Sequence, residues 1–432
     1  MESIWNKTVT LPTFPPLQRD IKTDVLIIGG GFAGLLTAHR LKEKGVECIV
    51  AEKGRICGGT TSNTTAKITL QHGLCYNKIF NSNGYESAKG YLKANEEAMR
   101  EYERLCKTTD CDYEKKDNFV YTKNDRKALE EELKTLEKLG YDADLREALP
   151  LPIKTAGAVR VKNQAQFHPL KFISPIAEKL KIYENTFIRK ISPIEAVTNT
   201  GKISFQKVVV ATHFPFINNH GSYFLKLYQH RSYVIALEDA PNVNGMYVDN
   251  DEKGLSFRNY NNLLLLGGGG HRTGKKGGNW NELREFRRVH YPEAKEVTYW
   301  AAQDCMSLDD VPYIGRYYKN SDRMYVSSGF NKWGITGSMV SAMLLSDLIT
   351  GNDNPYAEVF NPQRSILKPQ LAANTFESAL NLLTPTPRRC PHLGCALKWN
   401  EAEHSWDCPC HGSRFTEQGD LLDNPATDDK QM

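Results

Sequence analysis

The chain has no apolar run long enough to cross a bilayer. Its longest, residues 25–38 and 339–349, are broken by Gly, Thr, Ser or Asp and fall short of the roughly 20 apolar residues a span requires. The opening Met1-Glu-Ser-Ile-Trp5 has neither a basic segment nor an apolar stretch, so a secretory signal is not expected. Charge of one sign is also lacking: 55 Lys and Arg nearly offset 51 Asp and Glu, leaving +4. With no basic stripe carrying interleaved aromatics, a nucleic-acid role is excluded. Internal repeats are absent. Cysteine is modest at ten residues, and Cys48, Cys57, Cys75, Cys106, Cys111 and Cys305 are scattered without evident partners. Free thiols in that pattern suit a reducing compartment. The expectation is a soluble, cytoplasmic protein with no membrane span, its 432 residues sufficient for two or three domains.

What is present begins with a strand-like apolar run at residues 23–28 that ends in Gly29-Gly-Gly31-Phe-Ala-Gly34. Helical character follows over residues 35–44, then a second strand at 46–51 closing on Glu52. This is the order of a dinucleotide site. Gly29 makes the tight turn, Gly31 admits the pyrophosphate to the backbone, and Gly34 lets helix and strand pack closely. Phe32 and Ala33 lead into that helix, whose N-terminus favours phosphate charge, while Glu52, followed by Lys53, meets the ribose hydroxyls.

The fingerprint serves both FAD and NAD. Three features favour FAD. The fingerprint lies near the N-terminus. A small, hydroxyl-rich loop with Thr60, Thr61, Thr65, Ala66 and Lys67 suits the length of a flavin. Near the other end a strand at residues 324–327 leads through Gly329, Trp333, Gly334, Ile335 and Thr336 into a helix expected over 338–349. That start could aim N–H groups at the pyrimidine edge of the ring. A second fingerprint is missing, because the run Gly267 to Gly270 continues into His271-Arg272.

The last forty-odd residues carry Cys390-Pro-His392-Leu-Gly-Cys395 and Cys408-Pro-Cys410-His411-Gly-Ser413. Cys390, His392, Cys408 and His411 supply one thiolate and one imidazole per loop, the ligand set of a Rieske [2Fe–2S] centre. The same Cys₂His₂ donors also suit structural zinc, so the residue types alone leave both metals open. The strings resemble the cluster loops of Rieske proteins of the cytochrome bc-complex kind. That resemblance implies a disulfide between Cys395 and Cys410 clamping the loops. Only residues 384–389 separate the first loop from the preceding segment. A unit this small usually depends on a metal or disulfide to fold.

The body resembles the FAD-dependent glycine/D-amino-acid oxidase superfamily, and most of all its Rieske-tailed bacterial members. The matching stretches are residues 11–17, the Gly29 fingerprint, 59–67 with 71–73, 164–170, 182–186, 208–213, 267–274, 310–316 and 329–337. The resemblance implies an α/β fold: a Rossmann-like FAD-binding domain in pieces (about 20–85, 150–225 and 300–365) with an inserted antiparallel substrate domain (about 86–149 and 226–299). A helix and linker at 371–387 and a small all-β Rieske cluster-binding tail at 388–432 would follow. It also implies that the backbone near Ile188 holds the adenine and that Ala211 and Thr212 pack on the cofactor.

Helical spacing of Leu129, Leu133 and Leu136 predicts a helix over residues 127–139 behind a Thr122-x-x-Asp125 capping box. Alternating runs over 231–266 predict antiparallel strands. Flavin oxidation of an amine demands little of side chains beyond orientation and charge. Lys67, His72, His271 and Arg316 are the candidates for those roles, each with a structural role as its alternative. Arg272 and Trp333 are weaker ones. Cys305 is similar in position to the flavin-tethering cysteine of some sarcosine oxidases, with a different spacing to the acidic residues that follow. The expected activity is oxidation of a small amine or amino acid by FAD, with electrons passed to the cluster and on to a protein or small-molecule acceptor. Two alternatives stay open: an electron-transfer reductase fed by a protein partner, and a redox-sensing flavoprotein.

Overall fold

The computed structural model describes residues 1–251 and 253–430. Its first sheet is built on the apolar strand Ile21–Ile28, which pairs in parallel with Cys48–Ala51 on one side and Lys202–Val210 on the other. Met324–Ser328 continues the sheet in parallel, and Tyr313–Arg316 closes it antiparallel. Both faces are covered, so the central strands read as near-continuous Val, Ile and Leu. The helices Phe32–Glu43 and Gly334–Ile349 share one core cluster, which holds Leu35, Leu36, Met339 and Leu345.

The second sheet has nine strands, mostly antiparallel, in the order Lys295–Met306, Tyr228–Glu238, Leu263–Arg272, Ser256–Tyr260, Met246–Asp249, Glu114–Thr122, Gly157–Gln166 and Lys67–Ile68, with Asp144–Arg146 beside Gly157–Gln166. The glycine run 267–270 lies within the strand Leu263–Arg272. It therefore forms no nucleotide turn. Lys67–Ile68 belongs to this sheet, so the hydroxyl-rich loop joins the two sheets and lines the space between them.

Local readings are adjusted in two places. The cap of helix Arg126–Lys138 is Asp125, whose Oδ1 accepts from Ala128 N at 2.9 Å; Thr122 Oγ1 instead accepts from Asp125 N at 3.2 Å. A capping box needs a Glu or Gln three residues past the cap, and that position is Ala128. Helix Gly334–Ile349 begins four residues before the expected 338. Gly337 lies inside this helix, and a Cβ there would stand 2.6 Å from the Phe330 ring; glycine serves close packing and not a chain reversal.

The tail begins after helix Pro369–Leu383, which turns Asn374, Glu377 and Asn381 inward. Its four antiparallel strands are Lys398–Asn400, Ser405–Asp407, Arg414–Phe415 and Leu421–Asp423. The small core contains Cys390, Cys395, Leu397, Cys408, Cys410, Phe415 and Ala426. Among the described residues, no helix is long and apolar enough to cross a membrane.

Candidate functional site

A cavity of about 730 Å³ runs from the carboxyl ends of the parallel strands to the nine-stranded sheet, within the range expected of a cofactor or ligand site. Gly29, Gly31, Phe32, Ala33, Glu52 and Lys53 line one end. Thr60, Thr61, Thr65 and Lys67 line its length, with Ile188, Ala211 and Thr212 alongside. Trp333, Gly334 and Ile335, from the start of the buried helix, lie further along.

The glycine turn is dictated by close approach of neighbouring backbone. Gly29 has φ 111°, and a Cβ on it would meet Ala211 O at 2.4 Å; a Cβ on Gly34 would meet Gly29 O at 2.0 Å. Gly34 thus packs helix on strand and is not part of the lining. Glu52 is held by the backbone, Oε2 accepting from Gly30 N at 2.7 Å and Oε1 from Gly54 N at 2.9 Å. Thr61 Oγ1 accepts from Phe32 N at 3.2 Å, next to the helix N-terminus.

Lys67 is 8% exposed and donates from Nζ to Thr65 Oγ1 at 3.0 Å. Burial, with the nearby Arg258 cation, brings its ammonium down to about 7. Arg258 is fully buried and donates from one terminal nitrogen to Thr65 O and Ala66 O at 2.8 and 2.7 Å. Its Nε and other terminal nitrogen have no hydrogen-bond partner among the described residues, and burial brings it down to about 9. At the sheet end of the cavity sits Asp249, 6% exposed. Burial raises its carboxyl to about 6, and its nearest cation, Lys123, is 3.8 Å away. Cys305 also lines the cavity, its thiol raised to about 12 by burial and directed at Ser328 Oγ at 3.5 Å.

Several candidates stand outside this lining, His72, His271 and Arg316 among them. His72 is buried with both ring nitrogens engaged, Nδ1 by Tyr91 OH and Nε2 by Thr69 O at 2.7 Å each, and stacks on Trp333. Burial lowers it to about 3. His271 is likewise saturated, by Tyr233 OH and Arg272 O at 2.9 Å each. Arg316 is exposed at the end of the outermost strand. Ala66 lies behind the lining as a fully buried residue at φ 55°. Gly329 packs on Leu227 and Ser307, and Thr336 Oγ1 donates to Thr69 O at 2.8 Å.

The four tail donors converge. The rings of His392 and His411 are 4.9 Å apart, centre to centre, and the thiols of Cys390 and Cys408 are hydrogen-bonded to one another. Cys395 and Cys410 form a disulfide. Each imidazole keeps Nδ1 buried without a hydrogen-bond partner among the described residues, while His392 Nε2 is held by Asn218 Oδ1 at 3.0 Å. Burial lowers His392 to about 4 and, with the charge of His392, His411 to about 3. Cys390 falls below the usual thiol range through its hydrogen bond with Cys408. Imidazoles with a buried, unpartnered Nδ1 beside two thiols suit a metal centre.

The tail docks on the body of its own chain. Arg231 forms a buried ion pair with Glu403, and Gln303 Nε2 donates to Gly412 O at 2.8 Å. Arg272, a substrate-contact candidate, instead donates from Nε to Pro409 O at 3.2 Å. Gln229 Nε2 reaches His411 O at 3.2 Å and Asn424 O at 3.1 Å. Sequence reasoning missed Asp249, Gln229, Glu403 and Asn424, which belong to no local motif.

Comparison with known proteins covers both parts. The model of the FAD dependent oxidoreductase family matches residues 24–348, and that of the Rieske [2Fe-2S] domain matches residues 383–431. The Bacillus subtilis protein YhfW, named for a Rieske 2Fe-2S iron-sulfur centre, is 33% identical across 98% of this chain and 96% of its own length. L-proline dehydrogenase from P. horikoshii superposes with TM-score 0.67 at 18% identity, covering 81% of this chain and 98% of that one. Glycine oxidase from Geobacillus kaustophilus does so with TM-score 0.67 at 19% identity, over 80% and 99%. These two likenesses concern the fold.

Proposed function

The chain belongs to the FAD-dependent oxidoreductase family and ends in a Rieske [2Fe–2S] domain, and from that premise we propose that it is a dehydrogenase of a small amine or amino acid whose electrons leave through the cluster. Bound FAD supplies hydride acceptance with release of single electrons, and the [2Fe–2S] centre supplies one-electron transfer.

The observation that carries this reading is a shared wall. Ala211, Thr212 and His213 line the cavity, and the next residue, Phe214, sets its ring 6.1 Å from that of His411. His213 Nε2 lies 3.1 Å from Gln229 Oε1, and Gln229 holds the carbonyl of His411. One chain segment therefore has the cavity on one side and a cluster ligand on the other.

The remaining roles fall to this chain's own groups. Glu52 and Lys53 would take the ribose, the turn 29–31 the pyrophosphate, and the backbone near Ile188 the adenine. Cys390, Cys408, His392 and His411 would hold the iron pair. Asp249 would hold the substrate's ammonium group and accept the proton its nitrogen must release as hydride leaves the adjacent carbon, which favours an amine over an anionic substrate. Lys67 would place positive charge beside the ring, where negative charge develops on reduction. Its proton is present below about pH 7 and lost above.

Anaerobic mixing with a panel of amines and amino acids tests the reading. At least one should bleach the flavin absorbance; a flavin left oxidised by every member would remove the amine assignment. With a bleaching substrate in hand, the rate should fall as pH rises through about 7. Lys67→Met should be slower and flat across that range. A variant keeping the wild-type limb would show that Lys67 plays no such role.

A further inference from the structure

The end of the tail's strand Leu421–Asp423 and the turn after it line the same cavity as the glycine turn, through Leu422, Asp423, Asn424, Ala426 and Thr427. This loop borders the end where a Rossmann fold takes ribose, at the acidic residue closing the second strand. Lys53, next to Glu52, donates from Nζ to Leu422 O at 3.0 Å, and Arg189, next to Ile188, pairs with Asp428 at 3.3 Å. Asn424 fixes the loop there: its Nδ2 donates to Thr212 O at 2.7 Å and to Phe214 O at 2.6 Å.

The other side of this loop is held by the cluster loops. Ala426 N donates to Ser413 Oγ at 3.0 Å, and Ser413 is also hydrogen-bonded to the Cys390 thiol. Gln229 Nε2 donates both to the His411 carbonyl and to the Asn424 carbonyl. Few hydrogen bonds thus separate a cluster ligand from the cavity wall.

We propose that residues 422–427 of the Rieske tail form part of the FAD site, with Asn424 as the positioning residue, so that FAD binding and cluster loading reinforce each other. Ligands that need the same segment ordered bind with positive coupling, because whichever binds first meets the cost of ordering. The coupling is reciprocal: an empty cluster site loosens FAD, and an empty FAD site loosens iron. The inference requires only that the cavity hold FAD. It does not depend on the electron route, and a test without substrate can fail or succeed separately from that reading.

The test is the rate at which the diluted holoenzyme releases FAD, followed by recovery of free-flavin fluorescence. Affinity changes of this kind fall mainly on dissociation. In Asn424→Ala, loss of two part-buried hydrogen bonds should speed release about tenfold or more, with the [2Fe–2S] EPR signal still present. Release within about twofold of wild type would overturn the proposal. Should that variant misfold, full-length Cys390→Ser, which cannot load the cluster, carries the same test. FAD held as tightly by this cluster-free chain as by the loaded one would also overturn it. A third arm measures iron loss to a chelator: it should be faster from the FAD-stripped chain, and equal rates would contradict the coupling.

Discussion

Replacing Glu403 with alanine is expected to cost about 3–5 kcal/mol, the usual consequence of removing one partner from a buried ion pair. Glu403 has a side chain 3% exposed and accepts from Arg231 Nε at 2.9 Å, Arg414 at 2.8 Å and Tyr233 OH at 3.1 Å. Arg231 and Tyr233 belong to the body and Arg414 to the tail, so one carboxylate fastens the two parts. Its loss leaves the buried Arg231 guanidinium without this partner, while Arg414 keeps Asp407 and Asp423. The tail should therefore come away from the body before the body unfolds. Urea titration read at the cluster absorbance measures this: the midpoint should drop sharply. A shift worth less than about 1 kcal/mol would place the junction at the level of a surface pair.

The pH dependence has a defined sign. Burial alone would raise the Glu403 carboxyl, but Arg231 and Arg414 hold it below its ordinary value. A carboxyl depressed on folding contributes in full above its unfolded value, about 4.3, and loses that contribution as pH falls through the folded one. The gap between wild type and Glu403→Ala should persist at pH 7 and narrow below about pH 4.

The second large effect concerns Cys408→Ser. An oxygen ligand in place of this thiolate should leave the tail without its [2Fe–2S] signal, since the centre needs two cysteines on one iron. A substrate that bleaches the wild-type flavin should still bleach it, because Cys408 lies outside the cavity lining. Turnover with a one-electron acceptor should fall by about 100-fold or more, since single electrons would then have no route out. Measuring both half-reactions separates the outcomes. Unchanged acceptor turnover in a cluster-free chain would mean that electrons bypass the tail.

The sites were legible where chemistry is local. Gly29 and Gly34 are dictated by backbone atoms a few Å away, and the four tail donors occupy two short loops, so their spacing stands out in the sequence. The assembly of the parts was not legible. Arg231 meets Glu403, Gln303 meets Gly412 and Asn424 meets Thr212 across more than 100 residues in every case, and none has a neighbour that marks it. The same limit applies to the candidates that lie outside the cavity lining. His72 and His271 sit in family-like strings, yet each is consumed by a tyrosine and a carbonyl. Arg316 follows a pattern that ends at the sheet's outer edge. Asp249 was passed over because a strand-end aspartate reads as a turn residue until burial raises its carboxyl.

The central claim is that the flavin cavity and the cluster exchange electrons across the wall at residues 211–214. It is tested most directly by rapid freezing of the anaerobic holoenzyme after mixing with a substrate that bleaches its flavin. The [2Fe–2S] EPR signal should grow in step with loss of flavin absorbance, at a rate independent of protein concentration. A flavin that is fully reduced while the cluster stays oxidised, or is reduced only through collisions between molecules, would contradict it.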